Sequence, residues 1–195
     1  MKPLDRNEYI TNKLGKLNSQ IVLDIGCRDK IFKSYLKGDY KYIGIDYNPK
    51  IKDSDFINHN LENGLPKNLG DIDIINAVDV LEHIENIHQI TNECFNIAKQ
   101  KVIIALPNMA YYKFRIGFLF FGEISGKYTF HSKKVVDRHR WLPTYHNNIK
   151  FIKENTPENW KIKHFNFIAQ RKRNFIFYYM EKFLSKIFPK SFVYE

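Results

Sequence analysis

Apolar residues fall in short unbroken blocks, separated by stretches where they recur at helical spacing. Leu4 to Leu17 places Tyr9, Ile10, Leu14 and Leu17 on one helical face, with Asp5 suited to cap its start. Ile21, Val22 and Leu23 then form an apolar run that ends at Asp24; Gly26 opens a tight turn, and IFKSYLK reads as an amphipathic helix closed by Gly38. A second strand, Tyr42 to Ile45, stops on Asp46. After an Asn-Pro turn, Asp55 to Asn58 makes a brief third strand, and Ile72 to Ala77, entered through Gly70-Asp71, a fourth. The next helix carries Ile87, Ile90, Cys94, Ile97 and Ala98 as its stripe, and Lys101 to Leu106 is the fifth strand, terminated by Pro107.

Beyond Pro107 the regular alternation stops. About forty residues pass before the next convincing helix, NNIKFIKEN, far more than the roughly 2 to 6 of an ordinary loop in such a unit. Residues 107–147 are therefore read as an insertion that caps the substrate. Trp160 to Ile168 alternates as a sixth strand, NFIFYYMEKFLSKIF within 169–190 is an aromatic-rich helix with basic edges, and SFVYE is a short last strand. Basic edges on residues 174–188 suit a membrane surface, while a homodimer interface or core packing explains the same pattern and is the more frequent outcome.

Composition narrows this picture. The chain has 195 residues, 44% of them hydrophobic, enough for one domain with a full core and too few for two comfortable ones. Its two cysteines, Cys27 and Cys94, have no spacing that suggests a disulfide framework, and with no signal-like start a cytoplasmic setting is expected. Charge is uneven: residues 1–100 hold 13 Lys and Arg against 15 Asp and Glu, a net of −2, and residues 101–195 hold 18 against 6, a net of +12. The basic half favours an anionic partner. A merely soluble basic surface explains it about equally well, and no recognised nucleic-acid motif accompanies it.

The chemistry is concentrated where strands end. Asp46 lies twenty residues beyond Gly26, where its carboxylate can accept hydrogen bonds from the two hydroxyls of a ribose. A dinucleotide turn would have glycine where Arg28 and Ile31 stand, so no pyrophosphate is implied. Asp24, DIGC and the distal Asp46 instead resemble the first motif of class I S-adenosylmethionine-dependent methyltransferases. HNL, with Asn60 and Leu61, and DVLEH, from Asp79 to His83, follow in that family's order. LPNMAYYKFR resembles the stretch after strand five in the MetW type.

The resemblance implies a Rossmann-like α/β fold of seven strands in the order 3-2-1-4-5-7-6, the last antiparallel, with helices on both faces. It implies S-adenosylmethionine as cofactor, held by Asp24, Gly26, Cys27, Arg28, Asp46, Tyr47, Asn60, Leu61, Asp79 and Val80. His83 and Asn108 stand where catalysis is expected, His83 as a general base or a substrate-orienting group, although a histidine there is more often a surface or capping residue. Arg115, Arg138, His139, Arg140 and Trp141 are the substrate candidates, the two arginines of DRHRW through bidentate contact with phosphate or carboxylate. A salt bridge from Asp137 to one of these arginines that only clips the cap together is a nearly equal alternative. No metal is expected, since His131, His139 and His146 lack companion ligands at metal-binding spacing. Arg28 and Lys30 depart from the family's glycines; either cation obstructs the cofactor or pairs with its carboxylate. A non-catalytic partner protein with a methyltransferase fold, and less so a nucleic-acid-binding module, are the rival readings.

Overall fold

Several strands run beyond the apolar blocks that mark them. In the computed structural model, which describes residues 5–48, 50–123, 138–167 and 191–195, β1 spans Lys16–Ile25 and β2 Lys37–Asp46. Their polar leading halves pair in parallel, Lys16 opposite Lys37 and Gln20 opposite Tyr40, so backbone hydrogen bonds extend the ladder where side chains remain in water. Apart from Leu17, only Val22 to Ile25 of β1 are buried, a stretch that overlaps the apolar run of Ile21 to Leu23. Ser19, at a φ of 58°, marks a register shift between Asn18 and Gln20.

Before β1, helix α1 covers Arg6–Leu14, with the Asp5 side chain accepting from the Asn7 amide at 2.8 Å. The helix after the Gly26 turn, α2, is only Ile31–Tyr35. Gly38 does not close it; it lies inside β2 at a φ of +103°, where a Cβ would sit 2.2 Å from the Leu17 carbonyl oxygen. β3 is Phe56–Asn58, β4 Ile72–Val78, α3 Ile87–Ile97 and β5 Ala98–Pro107, so Ala98 belongs to a strand and not to the helical stripe.

β3, β2, β1, β4 and β5 are all parallel; β7 (Ser191–Tyr194) runs antiparallel to β5, and β6 (His164–Phe167) antiparallel to β7. The sheet order is β3-β2-β1-β4-β5-β7-β6. β6 begins at His164 and not at Trp160, whose ring packs on Phe95 with centroids 5.2 Å apart.

Alternate residues of the central strands feed two cores, as a sheet covered on both faces requires. Leu23, Ile75 and Ile104 face Ile87, Ile90 and Cys94 of α3 and Ile152 of α5 (Tyr145–Asn155), whereas Val22, Ile74 and Ile103 face Ile10 of α1 and Phe32 of α2. Within the stretch read as an insertion, Tyr112–Phe121 forms α4, which leaves Phe118, Leu119, Phe120 and Phe121 exposed. Residues 124–137 of the cap and the whole 169–190 segment, including 174–188, lie outside the described residues. Among those described, no helix is long and apolar enough to cross a membrane.

Candidate functional site

The carboxyl ends of β1, β2 and β4 meet at the turn after β1, and main-chain geometry decides what that turn can do. Gly26 has a φ of +69°, and a Cβ there would come within 2.5 Å of the Val80 side chain, so only glycine lets the turn pass under the end of β4. The amides of Gly26 and Cys27 both donate to the Ile45 carbonyl, at 2.8 and 3.1 Å, which ties the turn to β2. Arg28 and Lys30 are left-handed at 44° and 57°, a conformation that costs non-glycine residues energy and recurs at binding sites.

The turn delivers the Arg28 amide to the key acid. Asp46 accepts from the Arg28 amide at 2.8 Å on one oxygen and from the Tyr47 amide at 2.7 Å on the other. Both oxygens are fixed in direction and each retains a lone pair, which is what two adjacent hydroxyl donors need. Tyr47 itself is 70% exposed beside it. Lys30 corrects the expectation of a cation waiting for an anion: its ammonium pairs with Asp53 and, at 2.5 Å, with Asp55. Burial pulls that ammonium's pKa down, but the two carboxylates outweigh it and hold the pKa above its ordinary value.

Two candidates lie beneath the site and not in it. Asp24 is 3% exposed and receives the Tyr42 hydroxyl at 2.6 Å and the Asn76 amide at 2.7 Å. Burial pushes its pKa up to about 6; the two hydrogen bonds pull it down, and the Asp46 charge adds to the rise. It therefore braces β1, β2 and β4. The Cys27 thiol is buried against Gly44 and pushed up to about 12, by burial first and then by the Asp24 and Asp46 charges, so it is a neutral packing group.

On the facing edges, Asn60 is mainly a cap, accepting from the Glu62 amide at 3.1 Å, while Leu61 and Val80 pack into the core. Asp79, at a φ of 54°, forms an ion pair with Arg6 of α1. The leading helix is thus pinned to the end of β4, a contact between residues 73 apart that no local pattern announces.

The cap returns to the same edge through residues 138–144. Arg140 and Trp141 donate their amides to the Glu82 carbonyl at 2.9 and 3.3 Å, and the Trp141 indole donates to the Ile84 carbonyl at 2.7 Å. The Arg140 guanidinium reaches Glu62 at 3.0 Å and Glu85 at 3.2 Å. Arg140 and Trp141 are thus held against the turn after β4, while Asp137, the expected partner of a salt bridge within the cap, lies outside the described residues. Arg138 is exposed, and its carbonyl faces His83 Nδ1 at 2.9 Å; a carbonyl can only accept, so Nδ1 carries the proton. Asn108 is 2% exposed and accepts from the Ala110 amide at 3.0 Å, a turn-holding position and not an open catalytic one. Arg115 donates through Nε to the Ala110 carbonyl at 2.8 Å.

Sequence reasoning missed Glu82, Arg6, Tyr42 and Asn76. Glu82 is 1% exposed and stands 3.9 Å from His139 Nε2, beside His83, whose ring meets that of His139 edge-on at 4.5 Å. Next to it, a cavity of about 270 Å³ is lined by Glu82, His88, Leu106, Trp141, Asn148 and Phe151.

Residues 23–106 match the model of a family described as a methyltransferase domain. Among solved structures, the small RNA methyltransferase HEN1 is similar at a TM-score of 0.67 and 14% identity, over 97% of this chain and 24% of that one, so this chain spans about a quarter of it. An S-adenosylmethionine-dependent methyltransferase from Archaeoglobus fulgidus is similar at 0.52 and 14% identity, over 96% of this chain and 92% of that one. The plantazolicin methyltransferase BpumL, solved with a monoazolic desmethyl-plantazolicin analogue and S-adenosylhomocysteine, is similar at 0.58 and 14% identity, over 96% and 80%. Likeness at these identities shows the fold. A search of curated protein sequences returns no match.

Proposed function

We propose that this chain, whose residues 23–106 match the model of a family described as a methyltransferase domain, is an S-adenosylmethionine-dependent methyltransferase acting on an anionic small-molecule, glycan or lipid-linked acceptor. The observation that carries the reading is the Asp46 carboxylate, aimed by two backbone amides at the end of β2 beside a turn that only Gly26 permits. Asp46 would take the ribose hydroxyls, with Tyr47 and the Asn60–Leu61 turn flanking them. When bound, S-adenosylmethionine supplies a methyl group already activated by its sulfonium. The chain's own task is then mainly alignment and exclusion of water. The ladder of β1, β2 and β4 braced by Asp24, and the clip of Arg140 and Trp141, serve that task by fixing the edges of the cleft.

The anionic acceptor is supported by the +12 balance of residues 101–195 and by Arg138 standing exposed beside His83. A second reading takes RNA as the acceptor, on the same charge and the likeness to HEN1; its mark is a steep fall of affinity with salt. The reading as a non-catalytic partner loses one support, because Lys30 is engaged by Asp53 and Asp55. Mass spectrometry of the freshly purified chain tests the main reading: co-purifying S-adenosylhomocysteine supports it. Failure to acquire the molecule even after incubation at millimolar concentration favours the non-catalytic alternative.

A further inference from the structure

We infer that Glu82, His83 and His139 form a binding site for a divalent first-row transition-metal ion. One ligand-capable atom from each lies within 4.8 Å of the others. These residues are absent from any local metal motif, because His139 arrives from the cap and the other two from the turn after β4. Bonds of about 2.1 Å to one ion place ligand atoms roughly 3 to 3.5 Å apart. The 3.9 Å between His139 Nε2 and Glu82 Oε1 is a small side-chain adjustment from that spacing, and too long for a hydrogen bond.

Three features make the cluster a built site. The two segments are locked in register by the Arg140 and Trp141 amides on the Glu82 carbonyl and by the Trp141 indole on Ile84. His83 Nδ1 donates to the Arg138 carbonyl, which makes Nε2 the ring's ligating nitrogen; a carbonyl behind a ligating histidine is the usual second support of a metal site. The Glu82 carboxylate is taken out of water at 1% exposure, and the nearby Arg140 guanidinium is held by Glu62 and Glu85.

Two imidazoles and one carboxylate suit Mn²⁺, Fe²⁺, Co²⁺ or Zn²⁺ better than the all-oxygen cages of Ca²⁺ or Mg²⁺. Three protein ligands leave positions for oxygen atoms, and an ion there would lower the pKa of a bound hydroxyl. If the chain methylates, as proposed above, this points to an acceptor with a hydroxyl; the site itself does not depend on that reading.

The test is a calorimetric titration of Co²⁺ into the tag-free full chain after chelator treatment, with the cobalt absorption spectrum as a second readout. One ion per chain is expected, with a visible band for mixed nitrogen and oxygen ligation. Glu82→Gln and His139→Asn should each weaken binding at least tenfold, and His83→Asn provides the same comparison if either of those variants does not fold. No stoichiometric binding to the native chain overturns the site, as does unchanged affinity in the folded variants. Binding of S-adenosylhomocysteine is measured on the same samples: its retention without metal binding overturns the site alone.

Discussion

Asp24→Asn should make the protein more stable at neutral pH, although it removes an acid from the motif at the heart of the fold. In the folded chain the carboxyl titrates at about 6, against 3.8 for an ordinary aspartate, because burial outweighs the help of Tyr42 and Asn76. The native state therefore retains a proton between pH 4 and 6 that the unfolded chain has released. The stability contributed by this group is complete below pH 3.8 and lost as pH rises through about 6. At about 1.4 kcal/mol per factor of ten in proton affinity, ionised Asp24 costs about 3 kcal/mol at pH 7. Asparagine has nearly the same shape, accepts from the Asn76 amide and donates to the Tyr42 oxygen, so it keeps the brace without the charge. Urea unfolding of both proteins from pH 4 to pH 8 isolates the group, since other titrations, including that of Asp55, cancel in the difference. The difference should be small at pH 4 and grow to about 2 to 3 kcal/mol in favour of the variant by pH 7. A flat difference, or a variant less stable at pH 7 than at pH 4 relative to the native chain, refutes the buried-charge reasoning.

Asp46→Ala should leave the melting temperature almost unchanged and weaken S-adenosylhomocysteine binding by about 2 to 4 kcal/mol in calorimetry, the loss of charge-assisted hydrogen bonds; equal affinity in a folded variant removes the ribose assignment. Gly26→Ala should cost about 2 kcal/mol or more in chemical unfolding, because a Cβ would meet Val80 at 2.5 Å in a left-handed turn; a neutral variant would show that the turn relaxes. Arg140→Ala should lower stability by about 1 kcal/mol at most, since its pairs with Glu62 and Glu85 are partly open to solvent. Its cofactor affinity should stay within a factor of about two, and a loss as large as that of the Asp46 variant would mean that the cap holds cofactor.

The strands of the first half are legible because burial on both faces writes them as unbroken apolar runs; Ile72 to Ala77 lacks only Val78 of β4. Boundaries fail where the backbone ladder continues into polar sequence, as at Lys16 to Gln20, and where a glycine serves a close approach inside a strand, as at Gly38. At the site, the ends of β1 and β2 were readable because strand ends are fixed by local pattern. The roles within it were less so. Lys30 looked available until a loop more than twenty residues on supplied Asp53 and Asp55, Asp24 looked ligand-facing until Tyr42 and Asn76 closed over it, and Glu82 acquired chemistry only when the cap brought His139 beside it. Long-range pairing of this kind has no period in the sequence.

The most direct measurement is a calorimetric titration of S-adenosylhomocysteine into the native chain and the Asp46→Ala variant at the same pH and salt. The account predicts one molecule bound per native chain with a micromolar or tighter dissociation constant, and binding at least about thirtyfold weaker in the folded variant. A native chain that shows no heat of binding at millimolar ligand, or a variant that binds as well as the native chain, would contradict it.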